Sequence, residues 1–306
     1  MMSRTSKKSP QIHFMGGLGN QLFQFAYAHG LSNQFSEPYI FSIDHNASID
    51  RAFDLEVLLR DCQHSSGNSS PSSISSPTIP TKIVRRSVNQ LAKFDFLKHG
   101  VDSIAGIELN PFSSRRRDVL GKKWKTHIGY FQHWGLVEAN WPFFGKELFN
   151  FLDLHVDVSQ YQAEVSDSII LHVRRGDYVS AKNTMGLLSG DYYKLLLSNI
   201  SNGHSKKILV FTDSEELINE SFIREFEYQI LGPGELSAWQ TLKLISLGKE
   251  IVAANSTLSW WGGYLALQRD SGAKCYVPNP WFRDWHQRVE NAFLHPKMTP
   301  VTSIFE

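Results

Sequence analysis

Residues 169–177 read Ile169-Ile170-Leu171-His172-Val173-Arg174-Arg175-Gly176-Asp177. An apolar run ends in an imidazole, two guanidinium groups and a carboxylate within six residues. The run predicts a strand, and in open parallel α/β sheets ligands gather beyond the carboxyl ends of strands. Side chains alternate along a strand, so His172 and Arg174 share one face and Arg175 takes the other. An arginine directed into the crevice can grip a diphosphate through paired N–H groups and offset the charge that builds on it as it leaves. Asp177, just past the glycine, can hold such a guanidinium in place or, less suitably, act as a base. An arginine-paired carboxylate is a poor base because the neighbouring cation lowers its pKa. The competing account is an ordinary surface Arg–Asp ion pair, but this density of charge at a strand terminus favours a site. His172, Arg174 and Arg175 are therefore candidate ligand contacts.

Three further segments carry polar groups at element boundaries. Gly16-Gly17-Leu18-Gly19-Asn20-Gln21 joins a short strand to an apolar helix. Gly17 and Gly19 let backbone approach a ligand, and a helix N-terminus favours a negative group. The loop lacks the Lys and Ser/Thr of a P-loop and the spacing of a dinucleotide fingerprint, and a tight turn with an Asn cap explains it equally well. Asn255-Ser256-Thr257 follows another strand and opens a helix, where hydroxyl and backbone donors can meet phosphate oxygens. Trp260 and Trp261 behind it read as core, and Gly262-Gly263 inside the helix implies close packing or ligand approach. Asp213, at the end of Phe211-Thr212-Asp213-Ser214, can accept two hydrogen bonds from a guanine edge or can cap the next helix.

The elements that must position these groups alternate. Residues 11–15 predict a strand, 21–31 a helix apolar on all sides, and 38–43 a second strand, the usual opening of a parallel sheet. Residues 64–81 are Ser/Pro-rich and aperiodic, and read as a surface insertion. Residues 137–152 predict a helix containing Pro142, and the polar stretch 153–167 an interdomain linker. Strands follow at 168–173, 207–212, 250–254 and 273–277, with helices at 191–200, 215–222, 237–247 and 257–268. Such alternation indicates βαβ units and a Rossmann-like domain. The expected division is residues 1–155 and 156–306.

Composition excludes several classes. A net charge of +1 gives no electrostatic case for nucleic acid. Cys62 and Cys275, far apart, form neither a disulfide framework nor a zinc site, which points to a reducing compartment. The polar, basic first ten residues argue against a signal peptide, and no run of about twenty apolar residues spans a membrane. The expected location is cytoplasmic. No Asp-x-Asp pair and no paired histidine spacing is present, so no metal site is expected.

Taken together, Gly16-Gly17-Leu18-Gly19-Asn20-Gln21-Leu22-Phe23-Gln24, His172-Val173-Arg174-Arg175-Gly176-Asp177-Tyr178, Phe211-Thr212-Asp213-Ser214 and Ser256-Thr257-Leu258-Ser259-Trp260-Trp261-Gly262 resemble the α-1,2-fucosyltransferases of glycosyltransferase family 11. The resemblance implies an α/β fold of GT-B type, with two Rossmann-like domains facing a central cleft. It also implies GDP-β-L-fucose as donor, inversion at the anomeric carbon, no metal and no cofactor. In it Arg174 contacts the donor diphosphate, Ser256 and Thr257 complete the nucleotide site, and Asn20 faces the reacting sugar. The implied acceptor is an oligosaccharide or lipid-linked glycan, the latter placing the protein peripherally at the inner face of a membrane.

Overall fold

Short apolar strands, each followed by a polar or glycine-rich turn, set the architecture. The computed structural model describes residues 11–35, 40–43, 54–59, 74–75, 107–110, 126–201, 206–215, 222–232, 234–283 and 290–306. These fall into two compact units, Met1–Phe151 and Leu152–Glu306.

The first unit opens with β1 (Gln11–Phe14), turns at Gly16 with φ of +79°, and enters α1 (Leu18–Phe35). Leu22, Phe23, Phe25, Ala26, Tyr27 and Leu31 on α1 are all buried, as expected of a helix that is apolar around its circumference. The strands β2 (Ile40–Ile43), β3 (Ile74–Ser75), β4 (Ile107–Asn110) and β5 (Thr126–Gly129) complete a parallel sheet in the order β3-β2-β1-β5-β4. The Ser-rich stretch is thus not wholly without structure, since Ile74 and Ser75 pair with Phe41 and Ser42 at the sheet edge. The rest of that stretch lies outside the described residues. Helix α2 (Trp134–His155) contains Pro142 and crosses the division between the units.

The second unit begins with α3 (Ser159–Asp167), which corrects the expectation of a linker at 153–167. Only Val165 is buried on this helix, so its sequence carries almost no apolar periodicity. Next come β6 (Ile169–Val173), the short α4 (Gly176–Ser180), α5 (Gly190–Ser201), β7 (Ile208–Thr212) and β8 (Tyr228–Leu231). Helix α6 (Ala238–Leu247) starts with a complete capping box between Ser237 and Gln240 and leads to β9 (Glu250–Val252). Helix α7 (Thr257–Arg269), β10 (Lys274–Asn279), α8 (Glu290–Phe293) and β11 (Thr299–Thr302) close the unit. Most of the helix expected at 215–222 lies outside the described residues.

All six strands of this sheet are parallel, in the order β11-β10-β9-β6-β7-β8. Numbered within the unit this is 6-5-4-1-2-3, the doubly wound Rossmann order. Its core joins Ile169, Leu171 and Val173 of β6 to Tyr192, Leu196 and Leu197 of α5 and Val210 of β7. Trp260 and Trp261 are fully buried on α7, where Gly262 and Gly263 press against Ile245 and Cys275 with no room for a Cβ. The tryptophans are therefore core, and the paired glycines serve helix packing. Two parallel-sheet units of this kind are the components of a GT-B-type glycosyltransferase.

In both sheets the strand order reverses once, between β1 and β5 and between β6 and β9. Such a switch point splits the connecting loops to opposite sides and leaves a crevice beyond the strand ends, where ligands bind.

Candidate active site

Strand β6 is buried along its whole length, so the polar groups that follow it are delivered from a rigid base. Arg174 is the hub of an ion-pair network. Its Nη2 donates to Asp177 Oδ1 at 2.6 Å, and its Nη1 lies 3.0 Å from Asp213 Oδ2. The other oxygen of Asp213 accepts the backbone N–H of Arg175 at 2.9 Å. Asp213 stands just beyond the adjacent strand β7, so parallel pairing of His172 with Phe211 and Val173 with Thr212 brings it into register with the arginines.

Both carboxylate oxygens of Asp213 are thus engaged within the protein. Asp213 is thus a holder of Arg174 and of the β6–α4 turn, a role the sequence did not suggest. Gly176 makes the approach possible, because a Cβ there would overlap Asp213 Oδ2. Asp177, in the first turn of α4, is the more exposed partner, with 52% of its side chain accessible against 22% for Asp213. The guanidinium of Arg174 also lies 5.5 Å from the centre of the Tyr178 ring.

Arg175 lies past the end of β6, immediately before α4, and is 5% exposed. Its Nη1 donates to Glu306 Oε1 at 2.5 Å. Glu306 is brought there by a short antiparallel contact in which Ser189 N–H donates to the Ile304 carbonyl and Glu306 N–H to the Leu187 carbonyl. Arg175 is thus tied to Glu306, while its buried Nε has no hydrogen-bond partner among the described residues.

His172 is 2% exposed, and its Nδ1 has no hydrogen-bond partner among the described residues. Burial pushes its pKa down to about 4, with Arg174 acting in the same direction and Asp213 opposing. The imidazole is neutral at pH 7 and lies behind Arg174 at the strand end.

Across the switch point, β9 leads to Asn255, Ser256 and Thr257. The Tyr178 hydroxyl donates to the Asn255 carbonyl at 2.8 Å, tying α4 to this loop. Asn255 Nδ2 donates to the carbonyls of Met185 and Gly186. Ser256 is the N-cap of α7, yet its hydroxyl makes no capping bond, and Ser259 Oγ donates to the Ser256 carbonyl. The helix start, with its positive dipole end, is suited to a phosphate. The second unit therefore brings together His172, Arg174, Asp177, Asp213, Ser256 and Thr257 around one sheet edge.

Gly17, Gly19 and Asn20 belong to the first unit. Helix α1 starts earlier than expected, so Gly19 and Asn20 lie inside its first turn. The N–H groups of Asn20 and Gln21 both donate to the Gly17 carbonyl. Asn20 is therefore not the cap, which removes that account of the loop. Three buried glutamines escaped the reading of the sequence. Gln24 accepts from Met15 N–H and donates to the Gly129 carbonyl, joining the ends of β1 and β5 across the switch point. Gln21 donates to the Gly16 carbonyl and accepts from Leu55 N–H. Gln132, beyond β5, donates to Asn20 Oδ1 at 2.7 Å. The available signal was Gln21 and Gln24, two amides three residues apart on a helix otherwise apolar all round.

Among the described residues no cluster of three or more His, Cys, Asp or Glu is placed to hold a metal ion. No helix among them is long and apolar enough to cross a membrane.

Residues 126–294, more than half of the chain, match the family described as Glycosyl transferase family 11. An O-antigen biosynthesis glycosyltransferase, WbnK of Escherichia coli, is 27% identical over 295 residues, covering 87% of this chain and 93% of the relative. An alpha-1,2-colitosyltransferase of the same organism is 26% identical, covering 87% and 90% respectively. Among solved structures, fucosyltransferase NodZ from Bradyrhizobium is 14% identical with a TM-score of 0.47, over 84% of this chain and 93% of that one. Heptosyltransferase WaaC of E. coli is 8% identical with a TM-score of 0.48, over 96% and 92%. The stretch matched by the family runs from β5 through α8, taking in the whole Arg174 network and the start of α7, and on that match the protein belongs to glycosyltransferase family 11.

Proposed function

We propose that the protein transfers L-fucose from GDP-β-L-fucose to the 2-hydroxyl of a terminal galactose, with inversion, forming an α-1,2 linkage. The observation that carries this reading is Arg174, held by Asp177 and Asp213 at the carboxyl edge of a doubly wound sheet whose switch point also presents the start of α7. There the donor diphosphate lies between the guanidinium and the helix N-terminus, with Ser256 and Thr257 as neighbouring donors.

Cleavage of the sugar–phosphate bond concentrates negative charge on GDP while the sugar ring becomes oxocarbenium-like. Arg174 stabilises that leaving group because its N–H groups are aimed before the charge appears. The acceptor hydroxyl attacks from the opposite face, and Asn20 of the glycine loop is the residue of the first unit assigned to the transfer step. The diphosphate charge is met by protein donors, so the reaction needs neither metal nor cofactor.

The α-1,2 linkage is supported by the family and by the alpha-1,2 relative. The O-antigen relative supports a glycan acceptor, including a lipid-linked one at the cytoplasmic face of a membrane. Incubation with GDP-fucose and lactose, followed by NMR of the purified product, tests the reading. A β-linked fucose would overturn inversion, and an α-1,3 or α-1,6 linkage would overturn the regiochemistry. The colitosyl relative favours one second reading, a different GDP-sugar as donor. Competition between GDP-fucose and GDP-colitose, read as the ratio of kcat/KM, separates the two.

A further inference from the structure

We infer that Gln132 is a positioning residue that fixes the side-chain amide of Asn20 for the transfer step, held on a strained turn built for that purpose. The inference rests on the reading above, in which Asn20 is assigned to the transfer step.

The geometry comes from both sides of the amide. Gln132 Nε2 donates to Asn20 Oδ1 at 2.7 Å, joining residues 112 apart in sequence. On the other side, Asn20 Nδ2 lies directly over the Cα of Gly16, in the space a Cβ would fill. Gly16 has a φ of +79°, a conformation suited to glycine, so both the turn and the close approach call for it. Oxygen toward Gln132 and nitrogen toward Gly16 defines one of the two orientations an amide can take.

Gln132 is itself unusually constrained. Phe131, the residue before it, has a φ of +51°, which for a bulky side chain is a strained conformation. His133 N–H donates to the Phe131 carbonyl at 3.0 Å, closing a three-residue turn with Gln132 at its centre. The Phe131 ring is fully buried and stacks on Tyr27, with centroids 3.8 Å apart and planes 2° from parallel. Tyr27 in turn is hydrogen-bonded to His127 Nδ1 on β5 at 3.0 Å. Packing thus over-determines a backbone shape that would otherwise relax, the usual circumstance in which strain persists at a functional site. The turn sits at the β1/β5 switch point, where Gln24 already ties the two strand ends together. A mere connection from β5 to α2 requires neither a strained Phe nor a buried amide, 7% exposed, directed at the glycine loop.

The test uses the full chain with GDP-fucose and lactose, and compares Gln132→Ala, Gln132→Glu, Asn20→Ala and the double variant Asn20→Ala/Gln132→Ala. Gln132→Glu keeps the shape but removes the donor, so its carboxylate repels Asn20 Oδ1 and turns the amide over. Both Gln132 variants are expected to lower kcat by at least about tenfold, as misplacement of a group near the reacting atoms does. The KM for GDP-fucose stays within about twofold, because the nucleotide is held by the second unit. In the Asn20→Ala background, Gln132→Ala costs less than about a further twofold, the signature of a residue acting through its partner.

Unimpaired turnover in Asn20→Ala would remove the role assigned to Asn20 and the inference with it. Impaired Asn20→Ala alongside fully active Gln132→Glu, or equal losses in both backgrounds, would overturn the inference alone. If the wild type transfers nothing from GDP-fucose, the substrate reading is what fails. The positioning is then read from the side-chain amide 15N–1H signals of Asn20, assigned by their loss in Asn20→Ala. They are expected to move in Gln132→Glu, and unmoved signals would overturn the inference.

Discussion

Replacing Arg174 by lysine tests the leaving-group role most directly, because it keeps the charge and changes only the geometry. A guanidinium carries five N–H donors, and two groups of Arg174 are committed to Asp177 at 2.6 Å and Asp213 at 3.0 Å, leaving three donors for a ligand. An ammonium has three donors in all. Those three diverge from one tetrahedral nitrogen, so even with Asp177 released they do not reproduce the planar paired grip on the diphosphate. Removing one preorganised donor from a developing oxyanion costs about 2.7–4 kcal/mol. At about 1.4 kcal/mol per factor of ten, Arg174→Lys should lower kcat roughly a hundred- to a thousandfold. Steady-state release of GDP in the presence of lactose measures it, with circular dichroism and a melting curve showing that the variant is folded. Turnover within about threefold of wild type in a folded variant would refute the assignment. A loss carried wholly by KM would refute the transition-state part, since it would mean that the arginine binds donor and transition state alike.

Gly176→Ala places a Cβ against Asp213 Oδ2 and should displace that carboxylate, lowering kcat at least about tenfold while the melting temperature falls only a few degrees; kinetics and calorimetry on the same preparation check both. Burial holds the His172 pKa near 4, against an unfolded value of about 6.5, so the unfolded chain binds the proton first. Stability from this group is full above about pH 6.5 and is lost as pH falls toward 4; melting curves across that range should show a shallower acid slope for His172→Gln. His29, also held near 4 by burial, keeps the remaining slope above zero. Transfer should continue in excess EDTA, and a total loss restored by Mg²⁺ or Mn²⁺ would overturn the metal-free reading. Asp177→Asn should leave kcat within about threefold and tighten GDP binding severalfold by titration calorimetry, whereas weaker binding would make Asp177 an indispensable holder.

The sequence was most legible where an apolar run was long and both its ends were marked. Strands β6 and β7 are buried at every position, and α6 and α7 open with Ser237 and Ser256, so all four fall close to their expected bounds. The elements that escaped are those with weak burial. Strand β8 is buried only at Leu231, and β11, a sheet edge carrying Pro300, has no fully buried residue. Helix α3 buries one side chain, which gave it the composition of a linker. At the site, the local cluster around Arg174 was visible because three of its members lie within four residues. Partners from far along the chain were not: Asp213 is 38 residues from Arg175, Glu306 is 131 and Gln132 is 112 from Asn20. Spacing within a motif shows which groups share a turn, but only the sheet order shows which turns meet.

The charges around the second sheet edge explain why two adjacent arginines have different duties. Arg174 and Arg175 face Asp177, Asp213 and Glu306, a cluster with more negative than positive groups, so net charge does not draw the diphosphate in. Selectivity must come from which ion pairs can be exchanged. Arg175 and its partner Glu306 secure the Leu187–Glu306 contact, and removing either partner would strand a charge. Asp213 accepts a backbone N–H as well as the guanidinium, so its position survives any ligand. Asp177 is half exposed on the five-residue α4, and an exposed pair of this kind contributes about 0.2–1 kcal/mol. A diphosphate offers the same planar fork two oxygens of greater charge, in a crevice that also presents the start of α7. The favourable exchange is therefore at Asp177. On the proposed function, Asp177 keeps Arg174 neutralised and aimed before the donor arrives and yields the guanidinium to phosphate as it binds, while Asp213 holds the geometry that the departing GDP requires.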